Sequence, residues 1–460
     1  MRVYLGTLGC RLNEAELETW GMDFSAAGHE LVDTARGADL LVLNTCAVTA
    51  EAVRKSRKSI QRVQRENPTA KLVVSGCYVS IEEFDQTAAG IDLVVRNNDK
   101  DQLVARCQQA FDLDTMPSAA TTPAAAALFQ RHRQRAFIKI QDGCRYRCTF
   151  CIVTVARGDE RSRQTKDIVD EINRLTAQGI QEVVLTGVHV GGYGSDLNTD
   201  LESLVRAILL DTDIPRVRFA SVEPWDLPDQ FFRLFENQRL MPHMHLPLQS
   251  GSDSVLRRMA RRCKTQDFSQ LVATIRQAVP HFNITTDIIV GFPGESDEEW
   301  QQTMDFVRQM DFGHIHVFSY SVRAGTKAAR LPDQLPGNIK KQRSQALHDL
   351  ALQSKLRVMD AAIGHTDTIL WESAVTQSDQ SAADTVRYTG YTSNYLRVET
   401  TAPASLSLEN VITESAISGV NSAAAQLVAD NHKIISQIQI PTPTALINTG
   451  TTIPIRPIPV

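Results

Sequence analysis

Three cysteines inside one short loop, Cys144, Cys148 and Cys151, limit this chain more than any other feature of its sequence. The run Gln141-Asp142-Gly143-Cys144-Arg145-Tyr146-Arg147-Cys148-Thr149-Phe150-Cys151 follows the strand-like segment AFIKI and opens on Asp-Gly turn chemistry. A cubane iron-sulfur cluster normally takes four thiolates, so three at C-x3-C-x2-C spacing leave one iron open, as a catalytic metal site requires. The alternative is a zinc site completed by His132. Structural zinc knuckles usually pair two C-x-x-C or C/H halves, and no partner half lies nearby.

Cys10, Cys46 and Cys77 form a second pattern, each just past an apolar strand-like run: LGTLGC, LVLNTC and LVVSGC. In a parallel sheet such ends share one edge, where ligands bind in open α/β folds, so three separated thiols are placed to converge. Gly9 and Gly76 let the backbone come close to a bulky group there. Taken singly, each of these cysteines reads as a small buried apolar residue, as do Cys107 and Cys263.

At 460 residues the chain has room for two to four domains at ~100 to 200 residues each. Residues 1–112 alternate strand-like and helix-like segments, which predicts a small doubly wound parallel sheet. Residues 113–130 read as a linker. From 131 to 364, six strand-like runs (AFIKIQ, EVVLTG, RVRFASV, HMHLPLQ, ITTDIIVGF and HIHVFSY) predict a partial (β/α)6 barrel, followed by a long helix over about 338–362 that ends near Gly364. Residues 365–420 read as a small all-β module, and 421–460 as a poorly ordered tail.

A net charge of -5 argues against nucleic-acid binding by bulk charge, which leaves any RNA site to a local patch. No run approaches the ~18 apolar residues of a membrane helix, and the N-terminus lacks a signal-peptide core, so a cytoplasmic protein with no membrane partner is expected. There the eight cysteines stay reduced, which favours metal or catalytic roles over disulfides.

The cysteine loop placed after the first barrel strand resembles the radical S-adenosylmethionine superfamily. The stretches LGTLGCRLNEAELE, ADLLVLNTCAVTAEA, VVSGCY, IKIQDGCRYRCTFCIVTVARGDERSR, VVLTGVHVGGYG, HLPLQSGSDSVLRRMARR and TTDIIVGFPGES narrow the resemblance to its methylthiotransferases, over the chain from its start to about residue 330. The β module with YTGYTSNYLRV is similar to the RNA-holding TRAM domain that ends such enzymes. Residues 187–194, Glu223-Pro224 and Pro247 to Ser252 look most like the members that act on N6-threonylcarbamoyladenosine beside the tRNA anticodon. Val153 to Gly158 lacks the usual proline.

The resemblance implies methylthiolation at C2 of that adenosine with two S-adenosylmethionine molecules, one a radical source and one a methyl donor. It implies two 4Fe-4S clusters, a catalytic one at Cys144, Cys148 and Cys151 and a second, sulfur-carrying one at Cys10, Cys46 and Cys77. It also implies the anticodon arm of tRNA as partner, a reductant such as flavodoxin or ferredoxin, and an unspecified sulfur source. Phe150 is placed by the adenine, with loop packing an equal alternative. Thr186, Gly187, Gln249, Ser250, Gly291 and Glu295, at strand ends, are candidate cofactor contacts, each with turn formation as the alternative.

Candidate RNA contacts are Arg131, Arg133 and Arg135; Arg157, Arg161 and Arg163; Arg257, Arg258, Arg261 and Arg262; Lys340, Lys341 and Arg343; and Tyr391 with Tyr395 for base stacking. Isopentenyladenosine or a ribosomal-protein aspartate are alternative acceptors. A non-catalytic iron-sulfur carrier and a zinc RNA-binding protein are the alternatives of another class.

Overall fold

The apolar runs of the first hundred residues form one parallel sheet of β1 (Arg2–Thr7), β2 (Glu30–Val32), β3 (Leu40–Thr45), β4 (Lys71–Gly76) and β5 (Leu93–Val95), in the order β2-β1-β3-β4-β5. This computed structural model describes residues 1–81, 90–111, 134–375 and 385–436. β3 is buried along its whole length because helices cover both faces of the sheet. Helix Ala50–Glu66, N-capped by Thr49, sets Val53, Ile60 and Val63 on one side. Helix Arg11–Ala26 sets Leu17, Trp20 and Phe24 on the other, beside Cys107, which packs as an apolar residue. Pairing of Thr7 with Asn44 and of Thr45 with Gly76 brings the C-terminal ends of β1, β3 and β4 to one edge.

The six runs expected in the second region are strands: β6 (Arg135–Lys139), then, after the short pair β7 (Gln141–Asp142) and β8 (Arg161–Ser162), β9 (Glu182–Thr186), β10 (Arg216–Phe219), β11 (His243–His245), β12 (Asn283–Val290) and β13 (His314–Ser319). They lie parallel as β6-β9-β10 and β11-β12-β13, with parallel bridges Val217 to Leu240 and Ser221 to His245 linking the halves. All six contribute side chains to one cavity of about 490 Å³, so the array curls around it. The long helix runs Gly337–Asp360.

The last body is a closed barrel of β14 (Thr366–Val375), β15 (Thr385–Thr392), β16 (Arg397–Pro403), β17 (Ile412–Asn421) and β18 (Gln426–Ser436), in the order β14-β15-β16-β18-β17. It corrects the expected boundary at residue 420 and the expected tail from 421. β18 pairs with β17 from Gln426 to Ser436 and beside β16 at Leu427 and Val428. Without it two strand edges would stay open, and barrel closure removes such edges. Residues 437–460, the linker 113–130, His132, Arg131 and Arg133 lie outside the described residues.

The barrel module plugs the array at the N-terminal ends of its strands. Arg216 donates to the Thr368 carbonyl (2.7 Å) and Asn283 to the Asn394 carbonyl (2.8 Å). Fully buried Glu182 faces Arg218 (3.0 Å), Arg135 (3.2 Å) and Arg216 (3.7 Å), while Arg135 also pairs with Glu372 of the module (3.3 Å). Tyr391 and Tyr395 stack on each other at 4.6 Å, with the Arg135 guanidinium over both rings. Arg135 and the two tyrosines, expected on RNA, are thus taken up in this joint.

Burial alone would raise the Glu182 carboxyl, but Arg218 and Arg135 pull it down to about 2. A carboxyl depressed on folding contributes stability above its unfolded pKa, near 4.5, that is lost as pH falls toward 2; the integrated effect is on the order of 3 kcal/mol. Urea melts between pH 5 and pH 3 should show stability falling with pH, and Glu182→Gln should be less stable at pH 7 with a flatter profile. An unchanged profile in the variant would exclude this group as the source.

Candidate active site

The loop after β6 is closed at its base by pairing of β7 with β8. Gly143 stands at φ +73°, where a Cβ would lie 1.9 Å from the Asp159 carbonyl oxygen, so only glycine fits this turn. Cys144 N–H donates to the Gly158 carbonyl (3.1 Å), and Cys151 N–H to the Cys148 carbonyl (3.1 Å). Thr149 ties the loop to residues 258, 259 and 328 through its hydroxyl and both backbone groups. The Cys151 sulfur accepts from Val153 N–H (3.4 Å), and the Cys148 sulfur from Arg261 (3.8 Å). Arg261 is held in turn by Glu223 and the Pro247 carbonyl.

Burial first, then charge on Cys151 and Cys148, pushes the Cys144 thiol up to about 12; burial pushes Cys151 to about 11 and raises Cys148. Three part-buried thiols that oppose one another's ionisation are stable as thiolates only around a cation. That donor chemistry fits an iron-sulfur cluster.

At the edge of the N-terminal sheet, Cys10 precedes helix Arg11–Ala26, Cys46 follows β3, and Cys77 opens helix Cys77–Ile81. Gly9, at φ +121°, sits so close that a Cβ there would meet the Cys46 Cβ at 2.9 Å and its sulfur at 3.2 Å; on Gly76, at φ +105°, it would meet the Thr45 carbonyl oxygen at 2.2 Å. The two glycines thus draw the three loops together. Burial, helped by charge on Cys77 and Cys10, pushes the Cys46 thiol to about 11. Asn97 donates to the Cys77 sulfur at 3.7 Å.

Arg157 stands between the two thiol sets. It ends helix Val153–Arg157, which begins two residues after Cys151, and its charge acts on Cys10, Cys46 and Cys77. Its guanidinium donates to Glu16 (2.8 Å) and Asn13 (2.8 Å) of the N-terminal domain and to Asp142 (2.9 Å) of the cysteine loop. Lys100 pairs with the same Glu16, and Lys139 with Asp142 at 3.1 Å. Burial opposes charge on Glu16, yet Lys100 and Arg157 hold its carboxyl well below the ordinary range.

This corrects the expectation that Arg157 contacts RNA: its side chain is 2% exposed and fully paired. Arg261, beside Cys148, and Arg343, paired with Glu295 and Asp297, are likewise buried, while Arg258 binds Glu299 and Arg163 binds Glu171. Arg161, Arg257, Arg262 and Lys341 remain exposed or nearly so, with Arg262 over the Tyr146 ring at 4.4 Å.

The candidate cofactor contacts sit at strand ends around the same edge. Phe150 packs against the group of Phe292, Met259 and Tyr320. Thr186 accepts from Ile140 N–H through its carbonyl, and Gly187 lies so close to Gln141 that a Cβ would reach its side-chain oxygen at 3.0 Å. Gln249 adopts φ +79°, and the Ser250 hydroxyl meets Thr303 at 3.2 Å. The Glu295 carboxylate accepts from Gly291 N–H (2.8 Å) and pairs with Arg343, so it fastens the turn after β12.

Sequence reasoning missed His189, clamped by Glu160 on Nδ1 and Asp226 on Nε2, both at 2.5 Å. Burial disfavours its charge, but Asp226 and Glu160 prevail and raise its pKa. Tyr146 of the cysteine loop joins through Asp226 (3.0 Å). No short-range motif announces these contacts, because they span three strand-end loops.

Residues 138–307 match the Radical SAM superfamily, and residues 2–96 match the Uncharacterized protein family UPF0004. The chain is 34% identical over 404 residues to the threonylcarbamoyladenosine tRNA methylthiotransferase MtaB of Bacillus subtilis, covering 85% of this chain and 88% of that protein. It is 33% identical to the Thermotoga maritima protein of the same name, over 83% and 89% of the two chains. It is also 33% identical to the tRNA-2-methylthio-N(6)-dimethylallyladenosine synthase of Bacillus licheniformis, over 81% and 76%. The structure of the radical S-adenosylmethionine methyltransferase TsrM from Kitasatospora setae shares the fold at a TM-score of 0.52 and 17% identity, over 69% of this chain and 72% of that one.

Fold and site together define a radical S-adenosylmethionine enzyme. More narrowly, the chain belongs to the radical S-adenosylmethionine tRNA methylthiotransferase family. Among the described residues, no helix is long and apolar enough to cross a membrane.

Arg157→Met should remove the buried cation that Glu16 and Asp142 share, leaving the two carboxylates to Lys100 and Lys139, at a cost of about 3–5 kcal/mol. Thermal melts of the apo-protein should show a large drop in Tm, whereas Arg257→Met on the surface should stay within about 0.5 kcal/mol of wild type. Equal stability of the two variants would remove Arg157 from its structural role.

Proposed function

We propose that the protein methylthiolates C2 of N6-threonylcarbamoyladenosine next to the tRNA anticodon. The observation that carries this reading is a pair of three-thiol sets joined through Arg157, which acts on Cys10 and Cys77 and bonds Asp142 of the cysteine loop, in a chain 33–35% identical to MtaB proteins. Similarity at 32–33% to dimethylallyladenosine synthases supports isopentenyladenosine as the second reading.

Cys144, Cys148 and Cys151 would hold one 4Fe-4S cluster, and Cys10, Cys46 and Cys77 a second. When bound, the first with S-adenosylmethionine supplies a carbon radical able to break an unactivated C–H bond, beyond the reach of acid-base side chains. The residues of the chain do the positioning. Arg261 steadies the Cys148 sulfur, Arg157 locks the two thiol sets together, and the clamp on His189 fixes the loop after β9 against Tyr146. Exposed Arg161, Arg257, Arg262 and Lys341 are left for phosphates, with the anticodon arm of tRNA as partner and a flavodoxin- or ferredoxin-like reductant as electron source.

Mass spectrometry of nucleosides from total tRNA, in a strain lacking the gene and in one with it restored, tests the substrate. Loss and rescue of methylthiolated threonylcarbamoyladenosine is expected; loss of a different methylthio nucleoside would reassign the acceptor. Anaerobically reconstituted protein should bind about eight irons, and the Cys144→Ala, Cys148→Ala, Cys151→Ala triple variant about four. A triple variant that kept all its iron and still cleaved S-adenosylmethionine would overturn the site.

A further inference from the structure

The cavity enclosed by β6 and β9 to β13 has a composition that the reaction at its rim does not require. It runs from the N-terminal ends of the strands, at Arg218, His243 and His314, to Ser221, two residues past the end of β10 and toward the edge that carries the thiols. Four cations line it, Arg11, Arg218, Lys355 and Arg397, and among the described residues no carboxylate does.

Two of these cations have no partner among the described residues. Lys355 is half-buried, and both burial and the neighbouring Arg397 charge act to lower its pKa, with no anion to offset them. Arg397, which is exposed, makes no ion pair among the described residues. Arg218, 1% exposed, spends Nε and Nη2 on Glu182 and lies over the Tyr395 ring at 4.7 Å; among the described residues its buried Nη1 meets no acceptor. Arg11 pairs with Glu14 and lies over the Phe137 ring at 4.9 Å.

Uncompensated cations in a part-buried cavity raise a positive potential that attracts an anion, and a buried guanidinium N–H without an acceptor costs stability until one arrives. Phe137, Phe219 and Leu396 supply apolar wall between the charges. A volume of about 490 Å³ lies within the usual ~300–1,000 Å³ for small-ligand sites and suits an adenine with an amino-acid substituent.

We propose that this cavity receives the N6 substituent of the modified adenosine and that Lys355 and Arg397 bind its carboxylate. The proposal rests on the threonylcarbamoyl reading above and deepens it by naming what selects that nucleoside. A dimethylallyl group has no charge to offer, so it would leave both cations unanswered; sites built to bond a polar group reject analogues that lack it.

The test compares two anticodon stem-loop RNAs with the reconstituted holoenzyme, one carrying N6-threonylcarbamoyladenosine and one its carboxyl methyl ester, with a dimethylallyladenosine stem-loop as third substrate. The wild type should prefer the acid to the ester by about tenfold or more in kcat/KM, the size of one charge-assisted hydrogen bond. The Lys355→Ala, Arg397→Ala double variant should turn over acid and ester within about twofold of each other.

Equal use of acid and ester by the wild type, which needs no variant to fold, would overturn the carboxylate site while leaving the threonylcarbamoyl substrate intact. A double variant that keeps the full preference would also overturn the assignment. Methylthiolation of the dimethylallyl RNA alone would instead overturn the proposed substrate.

Discussion

The Arg157 guanidinium is where two separately folded parts of the chain become one site. Glu16 and Asn13 come from the first helix of the N-terminal domain, Asp142 from the turn that opens the cysteine loop, and Arg157 from the short helix that closes it. A buried cation of this kind is stable only while both carboxylates stay in place. The distance between the two thiol sets therefore follows from one set of hydrogen bonds rather than from packing alone. Lys100 and Lys139 each add a second cation to one carboxylate, which keeps both ionised in the interior.

A similar economy operates at the opposite end of the strand array. Glu182 gathers Arg135, Arg216 and Arg218, and through them the array meets the five-stranded barrel. Glu372 of the module adds a second anion at Arg135, and burial, with the Arg218 and Arg135 charges, still lowers Arg216 to about 10. The floor that seals the cavity thus also sets its electrostatic character through Arg218, which faces both Glu182 and the cavity.

Much of this could be read from the chain beforehand. The strand and helix rhythm gave the parallel sheets because apolar runs with period-two or helical spacing bury the same faces in any context. Cys10, Cys46 and Cys77 could be placed on one edge because parallel strands in register end together. The final strand was missed. Gln426–Ser436 mixes polar and apolar residues without clean alternation, and three register shifts in its pairing with β17 explain why no regular pattern survives. The basic runs misled for a different reason: Arg135, Arg157, Arg261 and Arg343 look like surface charge in one dimension, and only carboxylate partners such as Glu16, 141 residues from Arg157, and Glu223, 38 residues from Arg261, put them inside.

The sequence by itself determined the chemistry on offer: six thiols in two spacings, the glycines that let their loops approach, and strands whose ends carry them. These depend on residue type and local backbone, which the order of amino acids specifies directly. Only the tertiary structure decided which charges meet, from Arg157 between the domains to Glu182 at the floor, His189 between two carboxylates, and the unpaired cations of the cavity. Electrostatic partners are chosen by proximity in space and by the loss of water around them, and neither is written in the local sequence.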